Sequence, residues 1–146
     1  MVDGCKSDYI HVRSGVHQGS VLGPCLFLEY INDLPNTISS NTRLFADDTG
    51  LDRVMNTPAD QEALQQDLCN LEIWERQWDM QFHPDKCKVL TVSRKRKKTK
   101  RLYTLHGHTL ENVTDTKYLG VTLQDDGAWN KHNAEVASRG NRIMDS

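Results

Sequence analysis

Apolar positions recur along this chain in two rhythms, one helical and one alternating, and the changeovers fall at proline, glycine and acidic residues. Val21, Leu22, Leu26, Phe27, Tyr30, Ile31 and Leu34 make a broad apolar face at helical spacing. Ser20 stands as N-cap, and Pro24 is near enough to the helix start to be tolerated. Pro35-Asn36 ends the helix. A second helix opens with Thr57 as N-cap and Pro58 at its first position. Its apolar stripe is Leu64, Leu68, Leu71, Trp74 and Trp78, which reads as core packing. Phe82-His83-Pro84-Asp85 breaks it. Alternation predicts strands at 9–12, 42–47, 49–54, 86–93, 102–105, 108–110 and 118–123, with Asp47-Asp48 in a turn and His106-Gly107 in another. Asp125-Asp126-Gly127 closes the last strand, and 129–144 predicts a final helix.

Helices alternating with strands, without an internal repeat or a linker, predict an α+β sheet domain. The 146 residues suit one domain or a large piece of one. The chain is 37% hydrophobic and 26% charged, which argues against wholesale disorder. A net charge of −2 names no partner, but its distribution says more. Arg94, Lys95, Arg96, Lys97, Lys98, Lys100 and Arg101 crowd one stretch. Such a strip is a solvated loop or a surface for a polyanion. Cys5, Cys25, Cys69 and Cys87 are widely and irregularly spaced, so no zinc motif is read. Residues 21–34, the longest apolar stretch, are interrupted by Pro24, Glu29 and Asn32 and too short to span a bilayer. The expectation is an intracellular protein, nuclear or cytoplasmic, with reduced thiols.

Phe45-Ala46-Asp47-Asp48 is the sharpest chemical signal. Two adjacent carboxylates after an apolar strand place hard oxygen donors at a hairpin tip. Mg²⁺ takes one or two carboxylates and fills its shell with substrate phosphates and water. Taken alone, Asp-Asp reads as a solvated turn. Ser14-Gly15-Val16-His17-Gln18-Gly19-Ser20 adds a glycine-rich loop leading into a helix. Its glycines allow close backbone approach, and Gln18 offers both a donor and an acceptor. Taken alone, it is a helix-capping loop.

Together, SGVHQGSVLGP, YINDLP, LFADDT, WERQWDMQFHPDKCKVL and KYLGVTL resemble, in that order, the reverse transcriptases of non-LTR (LINE-like) retrotransposons. The resemblance covers essentially the whole chain. It implies an RNA-directed DNA polymerase that transfers nucleotides by two-metal chemistry, using two Mg²⁺ ions or Mn²⁺ in their place. It implies an RNA template, a DNA primer and dNTP as partners, and no membrane. It maps catalytic metal ligands onto Asp47 and Asp48, with Asp47 the firmer. It maps the nucleotide and template pocket onto Ser14, Gly15, Gln18 and Gly19. Lys86 becomes a catalytic proton donor to pyrophosphate, and Tyr118, Leu119 and Gly120 a primer grip. The basic strip becomes a candidate nucleic-acid contact.

In fold, the resemblance implies a partial polymerase palm over 1–125, an antiparallel sheet with helices packed on one face. It implies the start of a thumb helix over 126–146. The family's upstream aspartate strand and fingers are not found in the sequence, so an upstream segment of a parent polypeptide is the expected partner. His17, Cys25, Glu29 and His83-Pro84 depart from the family pattern. Glu29 on a buried face would cost roughly 2–7 kcal/mol unless paired. The alternative expectation is a catalytically inactive, nucleic-acid-binding remnant of a retroelement.

Overall fold

The computed structural model describes residues 19–95 and 101–144. The expected strand at 9–12 and the residues Cys5, Ser14, Gly15, His17, Gln18, Arg96, Lys97, Lys98 and Lys100 lie outside them. Helix α1 spans Leu22–Ile31. Ser20 does the expected capping chemistry, its Oγ accepting the Gly23 N–H at 2.9 Å. The helix stops at Ile31 rather than reaching Leu34. Pro35 lacks the N–H that would bond the Ile31 carbonyl, so the α ladder cannot continue, and Leu34–Thr37 form a 3₁₀ turn instead. Only the end of the apolar face is covered. Ile31 and Leu34 are buried, whereas Val21, Leu22 and Leu26 are exposed. Glu29 is exposed too, so the expected burial penalty does not arise.

Strands β1 (Asn41–Phe45) and β2 (Asp48–Asp52) form an antiparallel hairpin. Helix α2 spans Pro58–Trp78, and Thr57 is its N-cap as expected. The Asp60 carboxylate accepts the Thr57 and Asn56 N–H groups at 2.7 and 3.0 Å. Helix α2 is the spine of the core. Leu68, Leu71 and Trp74 are buried with Ile31, Leu34, Tyr103, Leu105 and Leu110, while Leu64 and Trp78 pack at the margin. The Trp74 indole N–H is satisfied by Asp33 Oδ1 at 2.9 Å.

Three polar residues of α2 tie the remaining segments to it. The Gln65 amide pairs with the backbone of Thr104, donating to its carbonyl and accepting from its N–H, both at 2.9 Å. Buried Glu75 accepts the Phe82 N–H and pairs with His106 Nε2 at 2.7 Å. Buried Asp67 gathers the segment that enters β1. It accepts the N–H groups of Ser39 and Ser40 at 2.8 and 2.9 Å, together with both hydroxyls. Burial pushes the Asp67 carboxyl up, but the Ser40 and Ser39 hydrogen bonds outweigh it, so the carboxyl sits below its ordinary value.

The second half differs from a single antiparallel sheet. A 3₁₀ turn at Pro84–Lys86 leads to β3 (Lys88–Leu90), much shorter than the expected 86–93. Strands β4 (Thr104–Leu105) and β5 (His108–Thr109) turn through His106-Gly107, as expected. Strand β6 (Glu111–Val113) pairs with β3 in parallel. The β4–β5 hairpin lies within the crossover that a parallel pair requires. The expected strand at 118–123 is instead a hairpin of β7 (Asp115–Tyr118) and β8 (Val121–Gln124). Leu119 and Gly120 both take positive φ, +49° and +81°, and so reverse the chain. The described residues thus hold four two-stranded pairs, three antiparallel and one parallel.

Helix α3 (Asn130–Met144) follows, close to its expected bounds. It packs on β8, where Thr122 Oγ1 donates to Glu135 Oε2 at 2.8 Å. Cys25, Cys69 and Cys87 are free thiols. No helix among the described residues is long and apolar enough to cross a membrane.

A carboxyl whose folded pKa is depressed stabilises the fold above its unfolded pKa and loses that contribution as pH falls through the folded value. Stability should therefore fall as the pH drops below about 4. Asp67→Asn should flatten that dependence and cost about 3 kcal/mol at pH 7. Urea unfolding followed by circular dichroism from pH 7 to pH 2 checks both. Equal midpoints for the two proteins at pH 7 would remove Asp67 from this role.

Candidate catalytic hairpin

The turn joining β1 to β2 is Ala46-Asp47, since Phe45 pairs with Asp48 across the hairpin. The expected turn, Asp47-Asp48, is therefore displaced by one residue. Asp47 stands at the tip and Asp48 begins β2. The register has a physical cause. Leu44 and Leu51 pack inward on the core, and a slip of one residue would turn both outward. Ala46 absorbs the reversal at φ +49°, a left-handed conformation that costs an L-residue about 1–2 kcal/mol. Both Asp47 and Asp48 are exposed.

Paired residues of an antiparallel hairpin share a face. Asn41, Arg43 and Phe45 therefore lie outward beside Asp52, Gly50 and Asp48. Tyr118 reaches this face from the β7–β8 hairpin. A Cβ built on Gly50 would sit 3.6 Å from the Tyr118 hydroxyl oxygen and 3.7 Å from ring carbons, so the ring lies over the glycine. Asp52 accepts Arg43 Nε at 2.6 Å on one oxygen and Asn41 Nδ2 at 3.0 Å on the other. Those two hydrogen bonds, the Arg43 one foremost, hold the Asp52 carboxyl below its ordinary value.

The other predicted residues are distributed differently. Lys86 is exposed at the end of the 3₁₀ turn, and no hydrogen bond or ion pair joins it to Asp47 or Asp48. Gly19 is exposed with φ +81° and open space where a Cβ would point. Tyr118 is half-buried, whereas Leu119 and Gly120 form an exposed turn. Of the basic strip, Arg94 and Lys95 are exposed, and Arg101 donates to Gln61 on α2. The hairpin thus holds Asp47 and Asp48 next to each other and sets Tyr118 against Gly50, two residues beyond Asp48. Sequence reading misses Gly50, Arg43 and Asp52. The signal is present in the register, because a two-residue turn after Phe45 sets Arg43 opposite Gly50.

Among the described residues, no group of three or more His, Cys, Asp and Glu is assembled to hold a metal ion. Asp47 and Asp48 nonetheless supply donors of the class Mg²⁺ prefers, and their exposure leaves room for phosphate and water to complete its shell. They fit a divalent cation as two of its ligands.

A family model described as reverse transcriptase (RNA-dependent DNA polymerase) matches residues 1–123. The chain belongs to the reverse transcriptase family. It is 30% identical over 141 residues to the RNA-directed DNA polymerase from mobile element jockey of Drosophila melanogaster, a match spanning 90% of this chain and 15% of that protein. The jockey polymerase of Drosophila funebris is 30% identical over 140 residues, covering 89% of this chain and 15% of its own length. The probable RNA-directed DNA polymerase from transposon X-element of Drosophila melanogaster is 29% identical over 137 residues, covering 88% and 15%. The resemblance to non-LTR retrotransposon enzymes therefore holds, and the chain spans about 15% of the length of those polymerases. No solved structure matches. In this reverse transcriptase chain the acidic box sits on a hairpin whose outer face carries the tyrosine of the YLG segment.

The tight β7–β8 turn depends on the left-handed backbone of Gly120. Gly120→Val should lower stability by about 1–2 kcal/mol, with Gly120→Asn losing less. Urea midpoints of the purified variants give the comparison.

Proposed function

We propose that this chain contributes the palm of a retrotransposon RNA-directed DNA polymerase, with Asp47 and Asp48 as ligands of its catalytic metal ions. The observation that carries this reading is the pair of exposed carboxylates, Asp47 in the two-residue turn and Asp48 at the start of β2, in a chain of the reverse transcriptase family. Residues 1–125 are the palm portion, and residues 126–146 begin a thumb. The substrates are an RNA template, a DNA primer and dNTP, which accords with an intracellular location, nuclear or cytoplasmic. The upstream palm and fingers segment of the parent polypeptide completes the enzyme.

Two Mg²⁺ ions, or Mn²⁺ in their place, would activate the 3′-hydroxyl and neutralise the leaving pyrophosphate when bound. The protein's own part is to fix the ligands. Inward Leu44 and Leu51 hold the register, and the turn projects Asp47 beyond the strand ends. Asp48 takes the first position of β2, beside the Tyr118–Gly50 contact. In this reading Tyr118, Leu119 and Gly120 support the primer end. Ser14, Gly15, Gln18 and Gly19 shape the nucleotide and template pocket. Lys86 supplies a proton to pyrophosphate, and the basic strip at 94–101 meets backbone phosphates.

A second reading, a nucleic-acid-binding remnant without turnover, is favoured by one observation. No third carboxylate joins Asp47 and Asp48 in a metal-holding group among the described residues. Incorporation of dNTP on a primed RNA template with Mg²⁺ separates the two. Under the first reading the chain joined to its upstream palm and fingers segment extends the primer, and Asp47→Asn lowers the rate by at least about 100-fold. Salt-sensitive binding of the primed template without extension selects the second.

A further inference from the structure

We propose that Arg43 and the Tyr118 hydroxyl form a phosphate seat on the outer face of the β1–β2 hairpin, one row of residues from Asp48. The inference rests on the nucleic-acid reading above and adds Arg43, a residue outside the family motifs quoted for this chain.

The geometry begins with Asp52. Its two oxygens go to different partners, one to Arg43 Nε at 2.6 Å and the other to Asn41 Nδ2 at 3.0 Å. Because Asn41 takes the second oxygen, Asp52 does not close on the guanidinium as a two-pronged fork. A guanidinium carries five N–H donors, so four remain on the two terminal nitrogens. Among the described residues those four have no protein acceptor, and the side chain is 66% exposed. The residue is therefore oriented at Nε and open at its far end.

The Tyr118 hydroxyl also has no hydrogen-bond partner among the described residues, and it lies over Gly50, the cross-strand partner of Arg43. The absence of a side chain at Gly50 lets the Tyr118 ring lie against the strand, which sets its hydroxyl over the residue paired with Arg43. Asp48 lies two residues before Gly50 on the same strand and face, roughly 7 Å along β2. A forked cation on one strand and a neutral hydroxyl over its cross-strand partner suit a phosphate oxygen pair. The neighbouring carboxylates would hold a cation that offsets their own charge. An exposed ion pair of this kind contributes little to stability, so Arg43 is available for ligand binding.

The ligand chemistry is a phosphate ester, carried by a nucleic-acid backbone or by a nucleotide. Fluorescence anisotropy with a labelled primed RNA template, and separately with a labelled dNTP, distinguishes the two sources in Mg²⁺ at several salt concentrations. Wild type, Arg43→Gln, Arg43→Lys and Tyr118→Phe are compared after confirming equal unfolding midpoints. If the seat holds backbone, Arg43→Gln weakens duplex binding about tenfold and lowers the salt slope by about one. Arg43→Lys keeps the slope while losing part of the affinity, because an ammonium cannot form the fork. Tyr118→Phe loses a few-fold without changing the slope. The same losses on dNTP alone assign the seat to the nucleotide. Unchanged affinity of Arg43→Gln for both ligands, with wild type binding, overturns the seat and leaves the polymerase reading standing. A wild-type chain that binds neither ligand overturns both.

Discussion

The buried Asp67 carboxylate decides where the β1–β2 hairpin starts. It draws in two consecutive N–H groups and two hydroxyls from Ser39 and Ser40, just before β1. Arg53, just after β2, reaches the same cluster. It donates to Ser39 Oγ at 2.9 Å and lies 3.7 Å from Asp67 Oδ2. Entry and exit of the hairpin are therefore clamped at one position of α2. A buried carboxylate is tolerated only when its hydrogen bonds and charge are met, and here the chain that satisfies it is the chain it must position. The tip carboxylates inherit their location from this clamp.

This dependence also explains what is legible in the sequence. Helix α2 is readable because capping and stripe lie within a few residues of one another: Thr57, Pro58 and Asp60, then leucines and tryptophans at helical spacing. The acidic box is readable for a similar local reason. Asp67 is not, because its partners are 27 and 28 residues away and its side chain looks like any polar helix residue. The β7–β8 turn is hidden by apolar Leu119, which masks a reversal that Gly120 permits. The parallel pairing of β3 with β6 depends on tertiary placement that alternation cannot report. Glu29, set among apolar residues in the sequence, is harmless because that side of α1 is exposed.

Family membership and geometry bear on different questions. Membership places residues 1–123 in the reverse transcriptase family. Geometry adds how the acidic box is held: an inward leucine pair below, a strained alanine at the turn and a tyrosine from a distant hairpin laid across a glycine. Tyr118 and Asp48 come from segments that the sequence treats as separate motifs. The Tyr118–Gly50 contact joins the two hairpins, so a side chain at position 50 would be felt by both.

The Gln65 amide carries a consequence of another kind. By matching both the N–H and the carbonyl of Thr104, it behaves as a short piece of neighbouring strand contributed by a helix. Strand β4 is only two residues long, and its side away from β5 would otherwise offer open backbone groups to any passing chain. The glutamine occupies them from within the same molecule. A single side chain thereby closes the open edge of this small hairpin, and a nonpolar residue at position 65 would uncover both backbone groups of Thr104.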